Sequence, residues 1–307
     1  MNERARASIN GIVQGVGFRP FIYRLAHRYR LSGYVANTSE GVVLEVEGPE
    51  KRIRCFFEAL EPEHPPLARI SSVERTSIPL KNDREFVIRS SRGNAERSAL
   101  ISPDVGVCPD CLAEMKDPGD RRFRYPFINC TNCGPRYTII EDIPYDRAST
   151  TMRKFRMCRA CRAEYLDPGN RRFHAQPNAC PECGPEVTLT DASGRRLDVP
   201  DPVRAAVSLL EKGRILAVKG LGGFHLGVDA ANHRAVVRLR RRKHREEKPL
   251  AVMVRDLETA HDIVHINDTE ARELTSFRRP IVILRKRRFH GLSSQVAPKN
   301  RFFGVML

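Results

Sequence analysis

Apolar residues recur at two spacings in the first ninety positions. Residues 7–13 read as a strand running into a glycine-bearing turn. Pro20 is well placed to start a helix that would bury Phe21, Ile22, Leu25 and Tyr29. A short strand over 33–37 ends in an amide, and 42–47 alternates as a half-buried strand does. A helix over 50–60, carrying Cys55, Phe56 and Leu60, and strands near 70–76 and 85–89 complete a β-α-β-β-α-β order. In this reading Cys55 is a small core hydrophobe.

Beyond a Pro- and Gly-bearing linker, residues 194–202, the pattern becomes α/β. The spacing predicts a helix over 203–212, a buried-type strand over 215–218 and a flexible Gly-rich turn over 220–226. Ala235, Val236 and Leu239 form an apolar helical face, and a strand follows within 248–254.

At 307 residues and 41% hydrophobic content, the chain should hold two or three domains with real cores. No apolar run of eighteen uncharged residues occurs, so no membrane span is expected and a cytoplasmic protein is. The net charge of +16 suits nucleic acid, acidic proteins or phosphorylated substrates, and does not choose among them. Its densest stretch, 238–248, includes Glu246 and Glu247 and continues an apolar helical face, which makes it a solvated helix surface.

Four Cys-x-x-Cys pairs narrow the choice: Cys108/Cys111, Cys130/Cys133, Cys158/Cys161 and Cys180/Cys183. Eighteen residues separate the pairs within each copy and 24 separate the copies. Two such pairs supply the four thiolates of a tetrahedral Zn2+, so two structural zincs are expected. Each metal most simply takes its ligands from one copy, though spacing alone leaves exchange of pairs between copies open. Disulfides and iron–sulfur clusters fit less well, because Cys-x-x-Cys bridges are usually redox-active and make an odd stabilising framework. The copies also share Ala-Glu at 113–114 and 163–164, Asp-Pro-Gly at 117–119 and 167–169, and Arg-Arg-Phe at 121–123 and 171–173, a 50-residue repeat. A zinc with four thiolates carries a net charge of −2. Arg121, Arg122, Arg136, Arg171 and Arg172 lie near enough in sequence to offset it.

The N-terminal turn has a chemistry of its own. Consecutive backbone N–H groups ahead of a helix cradle an anion, and Arg19 adds a guanidinium fork for phosphate oxygens. The run Gly11-x-Val13-Gln14-Gly15-Val16-Gly17-Phe18-Arg19, followed by Gly33-Tyr34-Val35-x-Asn37, resembles the acylphosphatase signature. The resemblance implies a ferredoxin-like domain in which the backbone of Gln14, Gly15, Val16, Gly17, Phe18 and Arg19 binds phosphate. It also implies that Arg19 and Asn37 are catalytic, Asn37 by orienting the attacking water. An acyl phosphate is a mixed anhydride with a good leaving group, so positioning and charge stabilisation suffice.

Lys243-His244-Arg245, with the strand that follows, is similar to the Lys-x-Arg of the YrdC nucleotide-binding family. That likeness implies ATP with Mg2+, its phosphates at Lys243 and Arg245. YrdC enzymes that activate threonine carry a Pro-Thr-acid-Thr stretch where this chain has Lys219-Gly220-Leu221-Gly222, so a smaller acceptor is expected. His174 and His225 have no partner identifiable in sequence and are assigned structural or supporting roles.

The order of an acylphosphatase-like domain (1–92), twin four-cysteine zinc fingers (105–190) and a YrdC-like domain (200–307) makes an α+β multidomain chain. It resembles the HypF family, the carbamoyltransferases of nickel–iron hydrogenase maturation. That family implies a relay: carbamoyl phosphate is hydrolysed, carbamate reacts with ATP to give a carbamoyl adenylate, and a further domain passes the carbamoyl group to the C-terminal cysteine of a HypE-family partner. There it becomes the precursor of a cyanide ligand. Carbamate decomposes quickly in water, and the zinc repeat is expected to act as a rigid spacer fixing its path. The final apolar run, 302–307, looks cut inside the YrdC-like domain, so the fragment is expected at most to hydrolyse acyl phosphates and bind ATP weakly. Two other readings compete. One is a nucleic-acid-binding zinc protein, disfavoured by 7% aromatic content and no Trp. The other is a threonylcarbamoyl-adenylate synthase, disfavoured by the stretch at 219–222.

Overall fold

The computed structural model describes residues 2–90 and 100–307. The expected boundary at residue 92 lies outside them. The chain forms two compact units, Met1–Pro185 and Glu186–Leu307.

The first unit begins with a five-stranded sheet. Strands β1 (Asn2–Ile12), β2 (Ser32–Asn37), β3 (Val42–Pro49), β4 (Arg69–Ser77) and β5 (Phe86–Ile88) lie in the order β4-β1-β3-β2-β5, antiparallel except for the β2–β5 pair. Helices α1 (Phe18–Arg28) and α2 (Glu50–Glu63) cross over between strands and share their core with one face of the sheet. Alternation along β1 sends Ala5, Ala7 and Ile9 inward, where they meet Ile22 and Leu25 of α1 and Ile53, Phe56 and Leu60 of α2. Tyr29 caps α1 half-buried, and Cys55 is half-buried outside that core, because the inward face of α2 is taken by its larger neighbours. The buried Arg4 guanidinium pairs with Glu45 at 2.6 Å, Glu47 at 2.5 Å and Asp83 at 2.7 Å, which ties the strand after α2 back to the sheet.

The rest of this unit is the cysteine repeat, with little regular structure: α3 (Pro109–Lys116), α4 (Arg159–Leu166) and short 3-10 turns. Its core holds Val105, Tyr125, Ile128, Ile139, Met152 and Ala179 alongside Cys111, Cys130 and Cys133. So few apolar side chains call for crosslinks.

In the second unit, α5 (Pro202–Glu211) leads into a hairpin of β6 (Leu216–Lys219) and β7 (Phe224–Gly227). The sequence reading left 224–226 in a flexible turn. The reversal is confined to Gly220–Gly223, closed by a 2.8 Å backbone hydrogen bond, and β7 pairs from Phe224 onward. Next come α6 (His233–Lys243), β8 (Ala251–Met253), α7 (Leu257–Ile263), α8 (Asp268–Thr275), β9 (Val282–Arg285) and β10 (Phe302–Met306). β10 is central, parallel to β8 and antiparallel to β9. Ala235, Val236 and Leu239 of α6 are buried, and Val236 packs with Val252, Leu274, Leu284, Phe303 and Val305.

Gly11 marks the bulge between β1 and β4. Its φ is +124°, and a Cβ there would lie 2.0 Å from the Arg69 carbonyl oxygen. Gly11→Ala should therefore destabilise the N-terminal domain by about 1–3 kcal/mol or more, read as a lower denaturant midpoint.

Candidate active site and metal centres

The turn between β1 and α1 forms the floor of the site. Gly15 (φ 73°) and Gly17 (φ 76°) are both left-handed, which curls residues 14–19 into a loop, while Val16 and Phe18 anchor it in the core. No side chain caps α1, so its first N–H groups face the loop without a side-chain partner. Arg19 projects from the first turn of α1 and Asn37 from the end of β2, and both are buried. They meet through one acceptor: the Tyr145 carbonyl receives the Arg19 guanidinium at 3.2 Å and the Asn37 amide at 3.0 Å. The two donors therefore lie within about 6 Å of each other. The opposite amide atom, Asn37 Oδ1, is buried with no hydrogen-bond partner.

Tyr145 belongs to the cysteine repeat, which closes over the loop. Its N–H donates to Gln14 Oε1 at 2.9 Å, while Gln14 Nε2 donates to the Thr38 and Gly41 carbonyls at 2.8 Å each. Asp146 pairs with Arg19 at 2.7 Å. Arg136 was expected to neutralise sulfur. Instead its guanidinium donates to the carbonyls of Cys130, Thr131, Cys133 and Pro135, and its Nε to the carbonyl of Gly15. Thr131, His174, Ala175, Gln176 and Pro177 complete the wall. The space left open at the centre is about 20 Å3, room for about one water. Sequence reasoning missed Tyr145, Asp146, Thr131 and Gln176. None carries a motif, and only tertiary packing brings them here.

The eight cysteines gather into two clusters, one per copy: Cys108, Cys111, Cys130 and Cys133, and Cys158, Cys161, Cys180 and Cys183. Zinc–sulfur bonds of about 2.3 Å in a tetrahedron set sulfurs about 3.8 Å apart. Neighbouring sulfurs lie 3.4, 3.7 and 3.8 Å apart in the first cluster and 3.6, 3.8 and 3.8 Å in the second. The donor set fits structural zinc. Cys108 and Cys158 cap α3 and α4, accepting the N–H groups of Cys111 and Cys161.

The copies exchange their charges. Arg121 donates to Cys161 Sγ at 3.2 Å, and Arg171 to Cys111 Sγ at 3.2 Å, so each guanidinium serves the other copy's cluster. Arg121 and Arg122 pair with Glu164 at 2.7 and 2.6 Å, while Arg171 (2.6 Å) and Arg172 pair with Glu114. Burial opposes charge on both glutamates. The arginine hydrogen bonds override it, bringing Glu164 down to about 2 and Glu114 below the ordinary carboxylate range.

In the second unit Lys243 is exposed in the last turn of α6, after which His244 turns left-handed. Arg245 donates to the Lys248 and Pro249 carbonyls at 3.0 and 2.5 Å, so its guanidinium closes a local turn. The buried Arg240 supports that turn through the carbonyls of Arg245, Glu246 and Lys248. His225 is exposed on β7.

Family models match all three regions: Acylphosphatase over residues 5–88, HypF finger over 107–140 and 157–190, and the Sua5/YciO/YrdC model described as Telomere recombination over 208–307. Carbamoyltransferase HypF2 of Cupriavidus necator is 52% identical over 99% of this chain and 38% of its own length. Carbamoyltransferase HypF of Synechocystis is 48% identical over 100% and 40%. The chain belongs to the HypF family. A crystal structure of full-length HypF in a phosphate- and nucleotide-bound form matches 100% of this chain and 40% of that one, with a TM-score of 0.93 and 46% identity. The chain thus spans about two fifths of the length of these HypF relatives. Within the first unit, 73 residues are 45% identical to the acylphosphatase of Salinibacter ruber, covering 24% of this chain and 76% of that protein. The comparisons favour neither the nucleic-acid nor the threonylcarbamoyl reading.

The crossed arginines set a test. Arg171→Ala should weaken zinc at the Cys108 cluster, in the other copy, by about 10–100-fold, and Arg121→Ala should do the same at the Cys158 cluster. Chelator competition followed by mapping of the alkylated cysteines reads both.

Proposed function

We propose that the chain hydrolyses carbamoyl phosphate at the 14–19 loop, as the first step of a carbamoyl transfer. One observation carries this reading: Arg19 and Asn37 converge over a glycine loop at an uncapped helix start. Phosphate oxygens take the loop N–H groups and the Arg19 fork, displacing the Asp146 carboxylate. Asn37 Oδ1, already facing away from Tyr145, accepts a hydrogen bond from the attacking water. Its Nδ2 stays on the Tyr145 carbonyl, which fixes which amide atom faces the reaction. Water oxygen bonds to phosphorus, the bridging P–O bond breaks, carbamate leaves with the electron pair, and the water proton passes to phosphate or solvent. Arg19 and the helix start stabilise charge on the phosphoryl oxygens throughout.

The second step uses ATP with Mg2+ to convert carbamate to carbamoyl adenylate in the YrdC-like unit, with Lys243 and Arg245 at the phosphates. For Arg245 this requires release from the carbonyls that hold it. The acceptor is the C-terminal cysteine of a HypE-family protein. This reading draws on the relatives' names and on the phosphate- and nucleotide-bound relative. The reaction is placed in the cytoplasm, where thiols stay reduced. Among the described residues no helix is long and apolar enough to cross a membrane.

Arg19→Ala and Asn37→Ala should each lower carbamoyl-phosphate hydrolysis by at least about 100-fold, measured as phosphate release by the 307-residue chain. Retained activity in either variant moves the chemistry elsewhere.

A further inference from the structure

We infer that His174 of the second zinc finger is a specificity-determining residue, whose imidazole accepts a hydrogen bond from the N–H of a carbamoyl group and so selects it over an isosteric acetyl group. The inference rests on the reading of residues 14–19 and Arg19 as an acyl-phosphate site.

The cavity has two walls. One is the phosphate loop with Arg19 and Asn37, and the other comes from the cysteine repeat. A substrate held by its phosphate on the first wall presents its acyl end to the second. On that wall most polar groups are already engaged. Thr131 Oγ1 donates to the Arg171 carbonyl at 3.1 Å. Gln176 Oε1 accepts the Arg147 N–H at 2.8 Å and the Tyr165 hydroxyl at 3.1 Å. The Tyr145 hydroxyl has no partner, but the Tyr145 ring lies over Gly15, on the phosphate side. The His174 ring makes no hydrogen bond among the described residues and is held only by ring contacts, 4.9 Å from Tyr165 and 4.7 Å from Phe173.

The internal repeat separates the residue's local role from its chemical one. His174 sits at φ 53° with its N–H on the Tyr165 carbonyl at 3.0 Å. Fifty residues earlier, Arg124 sits at φ 57° with its N–H on the Met115 carbonyl at 2.8 Å. The turn therefore asks for a left-handed residue and not for an imidazole. Burial, followed by the nearby Arg19 guanidinium, lowers His174 to about 4, so at neutral pH one ring nitrogen is an acceptor. The carbamoyl NH2 is a donor and the acetyl methyl is not, and a pocket acceptor left unpaired penalises the analogue that cannot donate.

The test measures kcat/KM of the 307-residue chain for carbamoyl phosphate and acetyl phosphate, in wild type, His174→Phe and His174→Asn, each checked for two bound zincs. Phe keeps the ring contacts without the acceptor, and Asn tolerates the left-handed turn and keeps a shorter acceptor. The expected result is a fall of at least about tenfold in the carbamoyl-to-acetyl ratio for His174→Phe, and a smaller fall for His174→Asn, with acetyl-phosphate kcat/KM within about twofold of wild type. If His174→Phe does not hold its zinc, the fall in His174→Asn decides. An equal loss on both substrates, or an unchanged ratio, overturns the inference while the Arg19 dependence of hydrolysis upholds the underlying reading. If hydrolysis of both substrates survives Arg19→Ala, that reading falls and the inference with it.

Discussion

The exchange of arginines between the two cysteine clusters is the interaction on which the first unit depends. A zinc with four thiolates is a buried net negative charge, and the nearest cation to each comes from the opposite finger, which in turn is pinned by a glutamate of the first. Neither finger has an apolar core large enough to stand alone. Zinc–thiolate bonding worth roughly 10–16 kcal/mol in small fingers supplies the local order, and the crossed pairs lock the two copies to one another. Arg122 and Arg172 extend the crossing inward to the carbonyls of Ala179 and Asn129, fifty residues apart like the arginines themselves.

That lock is what lets the repeat act as part of an active site. Residues 145–146 lie between the fingers and 174–177 lie within the second, and together they wall the phosphate loop. A spacer would only have to be stiff. Here the repeat also contributes the carbonyl that orients Asn37, the carboxylate that holds Arg19, and an imidazole. The Arg136 guanidinium joins the Cys130–Cys133 knuckle to the carbonyl of Gly15, so metal geometry and loop geometry share one side chain.

Local pattern was enough to read the sheet and helices of the first ninety residues, because alternation and helical spacing there agree with glycine and proline placement. It was enough for the cysteine clusters as well, since the spacing brings each four together. The partition of arginines was not legible. Arg-Arg and Glu occur at the same phase in both copies, so the sequence is equally compatible with pairing within or across fingers. Tyr145 and Asp146 carry no motif and reach Arg19 from over 120 positions away, a contact that only the docking of the repeat defines. The hairpin at 220–227 was misread because its glycines hid the strand that begins at Phe224.

One further consequence follows from the Arg19–Asp146 pair. A free arginine would hold a leaving anion until water replaced it, whereas this one has a carboxylate attached to the same fold and always within reach. Its effective concentration exceeds that of any dissolved competitor at ordinary levels, so a departing anion is exchanged for a built-in counterion and the guanidinium is never left bare. The pair makes the site self-clearing, and it sets a floor on how tightly an entering ligand must grip before it displaces the resident one.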